Sequence, residues 1–230
     1  MEPRQFSIIE LECVLWRQKG NGQKVLKNRN KKFIYLISPI KIINKSFYNI
    51  LNLVFKSNKV KFFQLRLKKE SIKKKITIAK KILKICEKNN VKLIINDDPY
   101  LAMKVNADGC HLAQKDMHIL EAKKILKNKI IGVTCHNSIK LAKYASSNGA
   151  HYIALGAFYK TRTKKVIHKA DIRTLSKIKK SIKIPVVAIG GINKKNYKKL
   201  LLNKADFLAI YGYIWNNKKY KPHQAIKNLK

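Results

Sequence analysis

From Phe33 onward, short apolar runs rich in β-branched residues alternate with longer segments whose apolar positions recur at helical spacing. Strands are predicted at Phe33 to Ile37, Phe62 to Leu67, Leu93 to Ile95, Gly109 to Leu112, Ile130 to Thr134, Tyr152 to Leu155, Pro185 to Ile189 and Phe207 to Ile210. Between them, helices are predicted around Lys45 to Phe55, Ser71 to Asn90, just after Pro99, through Ile119, Ala122 and Leu126, and near Ser138 to Asn148, Asp171 to Ser181 and Lys195 to Asn203. In the longest of these, Ile72, Ile76, Ala79, Leu83 and Cys86 form one apolar stripe. Strands and helices alternating in this way predict the α/β class and a single-domain (β/α)8 TIM barrel over residues 32–230. An open doubly wound sheet would carry fewer strands and a GxGxxG fingerprint, which is absent. Residues 1–31 stand outside the alternation. Gly20, Gly22, Lys24, Lys27, Arg29 and Lys31 give them the look of a mobile basic leader, although a wrongly chosen start codon would look the same.

In a parallel barrel the chemistry collects at the C-terminal ends of the strands. On strand two, Gln64, Arg66 and Lys68 alternate with Leu65 and Leu67, so the polar triplet is expected to face the barrel and the leucines the helices. Strand three runs into Asn96-Asp97-Asp98-Pro99 and strand four into His111-Leu112-Ala113-Gln114-Lys115-Asp116. Alone, each acidic turn reads as a helix start or N-cap. Together, Asp97 and Asp116 follow adjacent strands on the same rim, in a chain with only 12 acidic residues. Two carboxylates beside a basic triplet suit a magnesium ion that bridges to a diphosphate.

Strand five ends in Thr134, a hydroxyl donor, and His136, which suits either acid/base work or a packed structural role. The long loop after strand six carries Lys160, Thr161, Arg162, Thr163, Lys164 and Lys165, hydroxyls flanked by cations as phosphate recognition requires. Gly190 and Gly191 follow strand seven, and Tyr211 and Gly212 follow strand eight, where barrels commonly hold phosphate through backbone N–H groups.

Composition changes this picture little. The chain has 230 residues, 46% of them apolar, with no run long enough to span a bilayer and no clean signal-peptide core, so a cytoplasmic protein is expected. Its four cysteines, Cys13, Cys86, Cys110 and Cys135, show neither CxxC pairing nor zinc spacing and read as small core residues. The formal charge of +40, from 52 basic and 12 acidic residues, raises nucleic acid or anionic membrane as partners. The excess is mostly lysine spread along the chain among abundant Ile and Asn, three residue types with A/T-rich codons. The aromatics are not interleaved as base-stacking platforms. No specific nucleic acid and no membrane are therefore expected as partners. The sequence leaves homo-oligomerisation open.

In order and spacing these marks resemble the thiamine-phosphate synthases, a (β/α)8 family, from about Phe33 to Trp215. They are Gln64 to Lys68, Ile95 to Asp97, Ala107 to Asp116, Gly132 to His136, Thr161 to Lys164 and Val187 to Ile192. The resemblance implies a transferase of thiamine biosynthesis. It would join an aminopyrimidine methyl diphosphate to a thiazole phosphate and release pyrophosphate. It implies that Gln64, Leu65, Arg66, Leu67, Lys68, Asn96, Thr134 and Lys164 hold the pyrimidine diphosphate. Arg66, Lys68 and Lys164 would neutralise the leaving group, and Asp97 and Asp116 would bind Mg2+. Thr161, Arg162, Thr163, Gly190, Gly191, Tyr211 and Gly212 would hold the thiazole phosphate. Departures are Leu67 for a common Glu, Ala113 for Gly, Lys115 for Glu, Lys160 for Pro, Thr134 for Ser, and Gly212 for Ser. The nearest rival is the sister family of thiazole tautomerases, with His136 as acid/base. Asp116 and the Thr161/Thr163 pair weigh against it. A basic nucleic-acid-binding barrel without catalysis is a more distant alternative.

Overall fold

In the computed structural model the described residues are 32–42, 44–161 and 166–229. The expected leader, residues 1–31, lies outside them. The strands are β1 (Ile34–Ile37), β2 (Val60–Leu65), β3 (Lys92–Asn96), β4 (Gly109–Leu112), β5 (Ile130–His136), β6 (Tyr152–Gly156), β7 (Val186–Ile189) and β8 (Phe207–Ile210). The helices are α1 (Ser46–Phe55), α2 (Ile72–Lys88), α3 (Pro99–Lys104), α4 (Ile119–Leu126), α5 (Ile139–Ser147), α6 (Ile172–Ser181), α7 (Tyr197–Leu202), α8 (Gly212–Trp215) and α9 (Pro222–Lys227). All neighbouring strands pair in parallel, and β1 pairs with β8, closing the barrel. The fold class read from the sequence is the one observed.

Period-two alternation splits the core into two compartments. Inward positions Tyr35, Ile37, Phe62, Ile94, Ile130, Tyr152, Ala154, Val187, Phe207 and Ala209 fill the barrel. The opposite face, including Leu36, Phe63, Leu65, Leu93, Ile95 and Ile153, packs against the helices. The barrel filling is strongly aromatic, with ring centroids of Tyr35 and Phe62 5.6 Å apart and those of Phe62 and Phe207 5.1 Å apart. Burying such rings removes a large apolar area from water and plugs the interior below the C-terminal rim. Cys86, Cys110 and Cys135 are buried and free, and Cys13 lies outside the described residues. No helix among the described residues is long and apolar enough to cross a membrane.

Boundaries shift at two places that matter for the site. β2 ends at Leu65, so Arg66 and Lys68 sit just beyond the strand rather than on it. The alternation nevertheless continues: Leu65 and Leu67 join the sheet–helix core, and Gln64 is buried two residues beyond inward-facing Phe62. The turn is held by Ser38, whose hydroxyl accepts the Arg66 N–H at 2.9 Å. β5 runs two residues further than expected, to His136, with an irregular register between Thr134 and His136.

Candidate active site at the C-terminal rim

Asp97 follows β3 in a left-handed conformation, φ 67°, one of the few side-chain types that tolerates it. Its N–H donates to the His111 carbonyl on β4 at 2.8 Å, which ties the turn to the neighbouring strand. The helix-cap role anticipated for this acidic turn falls to Asp98, whose carboxylate accepts the Leu101 N–H at 2.9 Å at the start of α3. Asp97 is thereby left free to face the rim. Asp116 is not a cap either, because His118 occupies that position for α4. Its carboxylate instead closes its own turn, accepting the Ala113 N–H at 2.6 Å.

The two carboxyl groups are within hydrogen-bonding contact of each other, and Lys68 Nζ lies 2.7 Å from Asp97 Oδ2. Burial pushes the Asp97 carboxyl upward, but hydrogen bonds from Asp116, Lys68 and Asn96 together with the Lys68 charge hold it below the usual carboxylate range. Burial and the adjacent Asp97 push the Asp116 carboxyl up, against the Ala113 N–H and Lys68. This is the signature of two acids sharing one site with too little positive charge between them. Among the described residues no group of three or more His, Cys, Asp or Glu side chains gathers. Two carboxylates alone are the protein share of a site for a hard cation that retains waters. Beside the pair, a cavity of about 210 Å³ is lined by Leu65, Leu67, Lys68, Asn96, Asp97 and Asp98, among others.

Thr134 stands on β5 beside the β4 loop that carries Asp116, and half-buried Tyr211 packs on the barrel core at the end of β8. Gly190 and Gly191 both adopt positive φ, 105° and 62°. A Cβ on Gly190 would meet Ala157 Cβ at 2.4 Å, and one on Gly191 would meet the Lys160 carbonyl at 2.4 Å. The expected close backbone approach thus exists, but the described partner is the molecule's own loop after β6. Gly212 differs: it opens α8 with nothing within 4 Å of where its Cβ would stand. Thr161 is half-buried at the edge of the loop, whereas Arg162, Thr163 and Lys164 lie outside the described residues. His136, at φ 52°, lies with its ring centroid 4.4 Å from that of His168.

The sequence reading missed a polar chain inside the barrel. His111, 8% exposed, holds Tyr152 Oη at 3.0 Å from Nδ1 and Thr134 Oγ1 at 2.8 Å from Nε2. Tyr152 Oη in turn sits 2.8 Å from Tyr35 Oη. Burial pushes the His111 imidazole down to about 4, outweighing the Asp97 charge, so the ring is neutral near pH 7. The available signal was inward alternation: His111, Tyr152 and Tyr35 all occupy inward positions of their strands, where polar atoms need partners.

The thiamine monophosphate synthase family model matches residues 34–214. A thiamine-phosphate synthase of Pelagibacter ubique (strain HTCC1062) is 65% identical over 201 residues, covering 87% of this chain and 97% of the relative. One from Clostridium acetobutylicum is 38% identical over 198 residues, covering 85% and 92%. Among solved structures, the thiamine phosphate pyrophosphorylase from Pyrococcus furiosus superposes with a TM-score of 0.77 at 28% identity, covering 87% of this chain and 95% of that one.

Proposed function

Because the chain belongs to the thiamine monophosphate synthase family, a family of transferases, we propose that it condenses an aminopyrimidine methyl diphosphate with a thiazole phosphate. The products are thiamine phosphate and pyrophosphate. The observation that carries this reading is the contact between the Asp97 and Asp116 carboxyls beside Lys68, 2.7 Å from Asp97, on the rim where barrels place their chemistry.

In this reading the bond from the methylene carbon to the diphosphate oxygen breaks, and the electron pair leaves with pyrophosphate. The electron-rich aminopyrimidine carries the resulting cation, and the thiazole nitrogen donates the pair that forms the new C–N bond. No protein nucleophile is required. Asp97 and Asp116 are the residues that would hold Mg2+, which when bound supplies positive charge for the departing diphosphate. Arg66, Lys68 and Lys164 add cationic charge on the same group, where a site shielded from bulk water strengthens it. Gln64, Arg66, Lys68, Asn96 and Thr134 hold and orient the diphosphate-bearing pyrimidine, while Leu65 and Leu67, expected beside them, face the sheet–helix core instead. Thr161 to Thr163, the Gly190-Gly191 turn and the backbone at Tyr211 and Gly212 receive the thiazole phosphate. The open space beside Gly212, with nothing of the described protein within 4 Å of its Cβ position, leaves room for a ligand at that end.

The test is an assay of the purified chain with each phosphorylated heterocycle alone and with both together. Thiamine phosphate and pyrophosphate in equal amounts, formed only when both are supplied, is the expected result. Isomerisation of the thiazole alone, lost on His136→Ala, would favour the tautomerase reading instead. A folded protein that acts on neither would defeat both.

A further inference from the structure

The polar chain in the barrel joins four residues from four strands: Tyr35 on β1, Tyr152 on β6, His111 on β4 and Thr134 on β5. Each hydroxyl owns one proton, and a neutral imidazole owns one between its two nitrogens, so the end of the chain dictates the direction of every bond in it. The inner end is Tyr35, which is 2% exposed and whose only hydrogen-bond partner among the described residues is Tyr152. A buried O–H with one neighbour must donate to it, because the reverse arrangement leaves a buried donor unmatched. Tyr152 therefore accepts from Tyr35 and donates to His111 Nδ1. With Nδ1 presenting its lone pair, the ring proton sits on Nε2 and donates to Thr134 Oγ1. The Thr134 proton is then the one left over, at the half-buried outer end of the chain.

Local packing supports this chain as built rather than incidental. Tyr152 stacks on His111 with ring planes 16° apart. Gly132, between them on β5, leaves the space: a Cβ there would stand 2.0 Å from the Tyr152 ring. The Thr134 carbonyl accepts from the Gln114 side chain, which comes from the loop that also carries Asp116. Thr134 is thus held at its hydroxyl from the interior and at its carbonyl from the acid pair's own loop.

We propose that Tyr35, Tyr152 and His111 form a hydrogen-bond wire of fixed polarity that leaves the Thr134 hydroxyl proton free to donate to an anionic oxygen of the diphosphate. Tyr35, Tyr152 and His111 are positioning residues, because they act through Thr134. The inference rests on the reading of Thr134 as a substrate contact, but the polarity of the wire is measurable without substrate.

The experiment has two parts on the full chain. Nitrogen-15 NMR of the histidine rings, with His111 assigned by loss of its signals in His111→Gln, reads the tautomer of the ligand-free protein near pH 7. The expected result is a protonated Nε2 and a lone-pair Nδ1, unchanged in Tyr35→Phe, where Tyr152 becomes the terminal donor. A protonated Nδ1, or a doubly protonated ring, overturns the wire whatever the enzyme does. Calorimetric titration with inorganic pyrophosphate and magnesium then reads the donor. Thr134→Val should weaken binding about tenfold or more, and Thr134→Ser should stay within about twofold, as expected for one hydrogen bond to a charged acceptor. Equal affinity of Thr134→Val and wild type overturns the donor assignment. A correct tautomer in a protein that makes no thiamine phosphate would leave the wire standing and remove only the proposed reaction.

Discussion

The two ends of the barrel use aspartate in opposite ways. At the N-terminal face, Asp108 accepts from Lys92 Nζ and from the Leu93 N–H, each at 2.8 Å. Asp206 does the same with Lys179 Nζ at 2.5 Å and the Val186 N–H at 2.7 Å. Each acid immediately precedes a strand, β4 or β8, and captures an N–H at the start of the strand before it, β3 or β7. Charge is matched one to one, and each acid clasps two neighbouring strands. At the C-terminal face, Asp97 and Asp116 lean on each other with Lys68 as the neighbouring cation, and their titrations split apart. Charge is matched within the protein at the bottom, and the less evenly matched acids at the top are where the proposed magnesium would be held.

The sharpest way to break this contrast is to neutralise one rim acid. Asp97→Asn or Asp116→Asn should lower turnover by about 100-fold or more, the scale of removing an electrostatic contributor to a transition state. Thermal stability should hold or rise slightly in Asp116→Asn, whose carboxyl is pushed up by its neighbour, and fall slightly in Asp97→Asn, which loses the Lys68 ion pair. Steady-state rates and thermal melts on the same preparations check both halves. Asp206→Asn should do the reverse, costing about 3 kcal/mol as the nearly buried Lys179 loses its partner, with turnover of the folded fraction unchanged. Urea unfolding beside an activity assay reads this directly.

Between the two faces lies His111, and it gives the comparison a pH axis. Its folded value of about 4 lies below the ordinary 6.5, so the unfolded chain binds more protons in that window. Its contribution is fully present above pH 6.5 and is lost as pH falls toward 4, a change of about 3 kcal/mol at most. Urea midpoints at pH 7 and pH 4.5 should differ more in wild type than in His111→Gln. The smallest effect belongs to the exposed half of the bottom clasps. Lys92, 40% exposed, faces Asp108 in solvent, so Lys92→Met should shift stability by no more than about 0.5 kcal/mol.

Local periodicity made the barrel legible. Inward Gln64 and outward Leu65 and Leu67 follow from period two alone, and all eight strands were placed from apolar runs. The rim acids were legible too, since scarcity made two of them on one edge conspicuous. Less legible was whatever depends on distant chain segments. Tyr152 lies 41 residues from His111 and 117 from Tyr35, so no local pattern reports their contact. His111 stands in the strand-four motif, but a single inward histidine looks like packing until its two partners are known. The glycine pair Gly190-Gly191 predicts room for a ligand, whereas among the described residues their Cβ positions are filled by residues 157–160. The extent of β2 was overestimated because alternation persists through Arg66 to Lys68 after strand pairing ends at Leu65.

The most direct measurement is electron paramagnetic resonance of manganese(II), a spin-active substitute at oxygen-donor magnesium sites, titrated into the full chain with pyrophosphate present. One bound ion per chain in wild type is expected, with affinity reduced at least tenfold in both Asp97→Asn and Asp116→Asn at unchanged circular dichroism. Equal manganese affinity in wild type and in either variant would contradict the account.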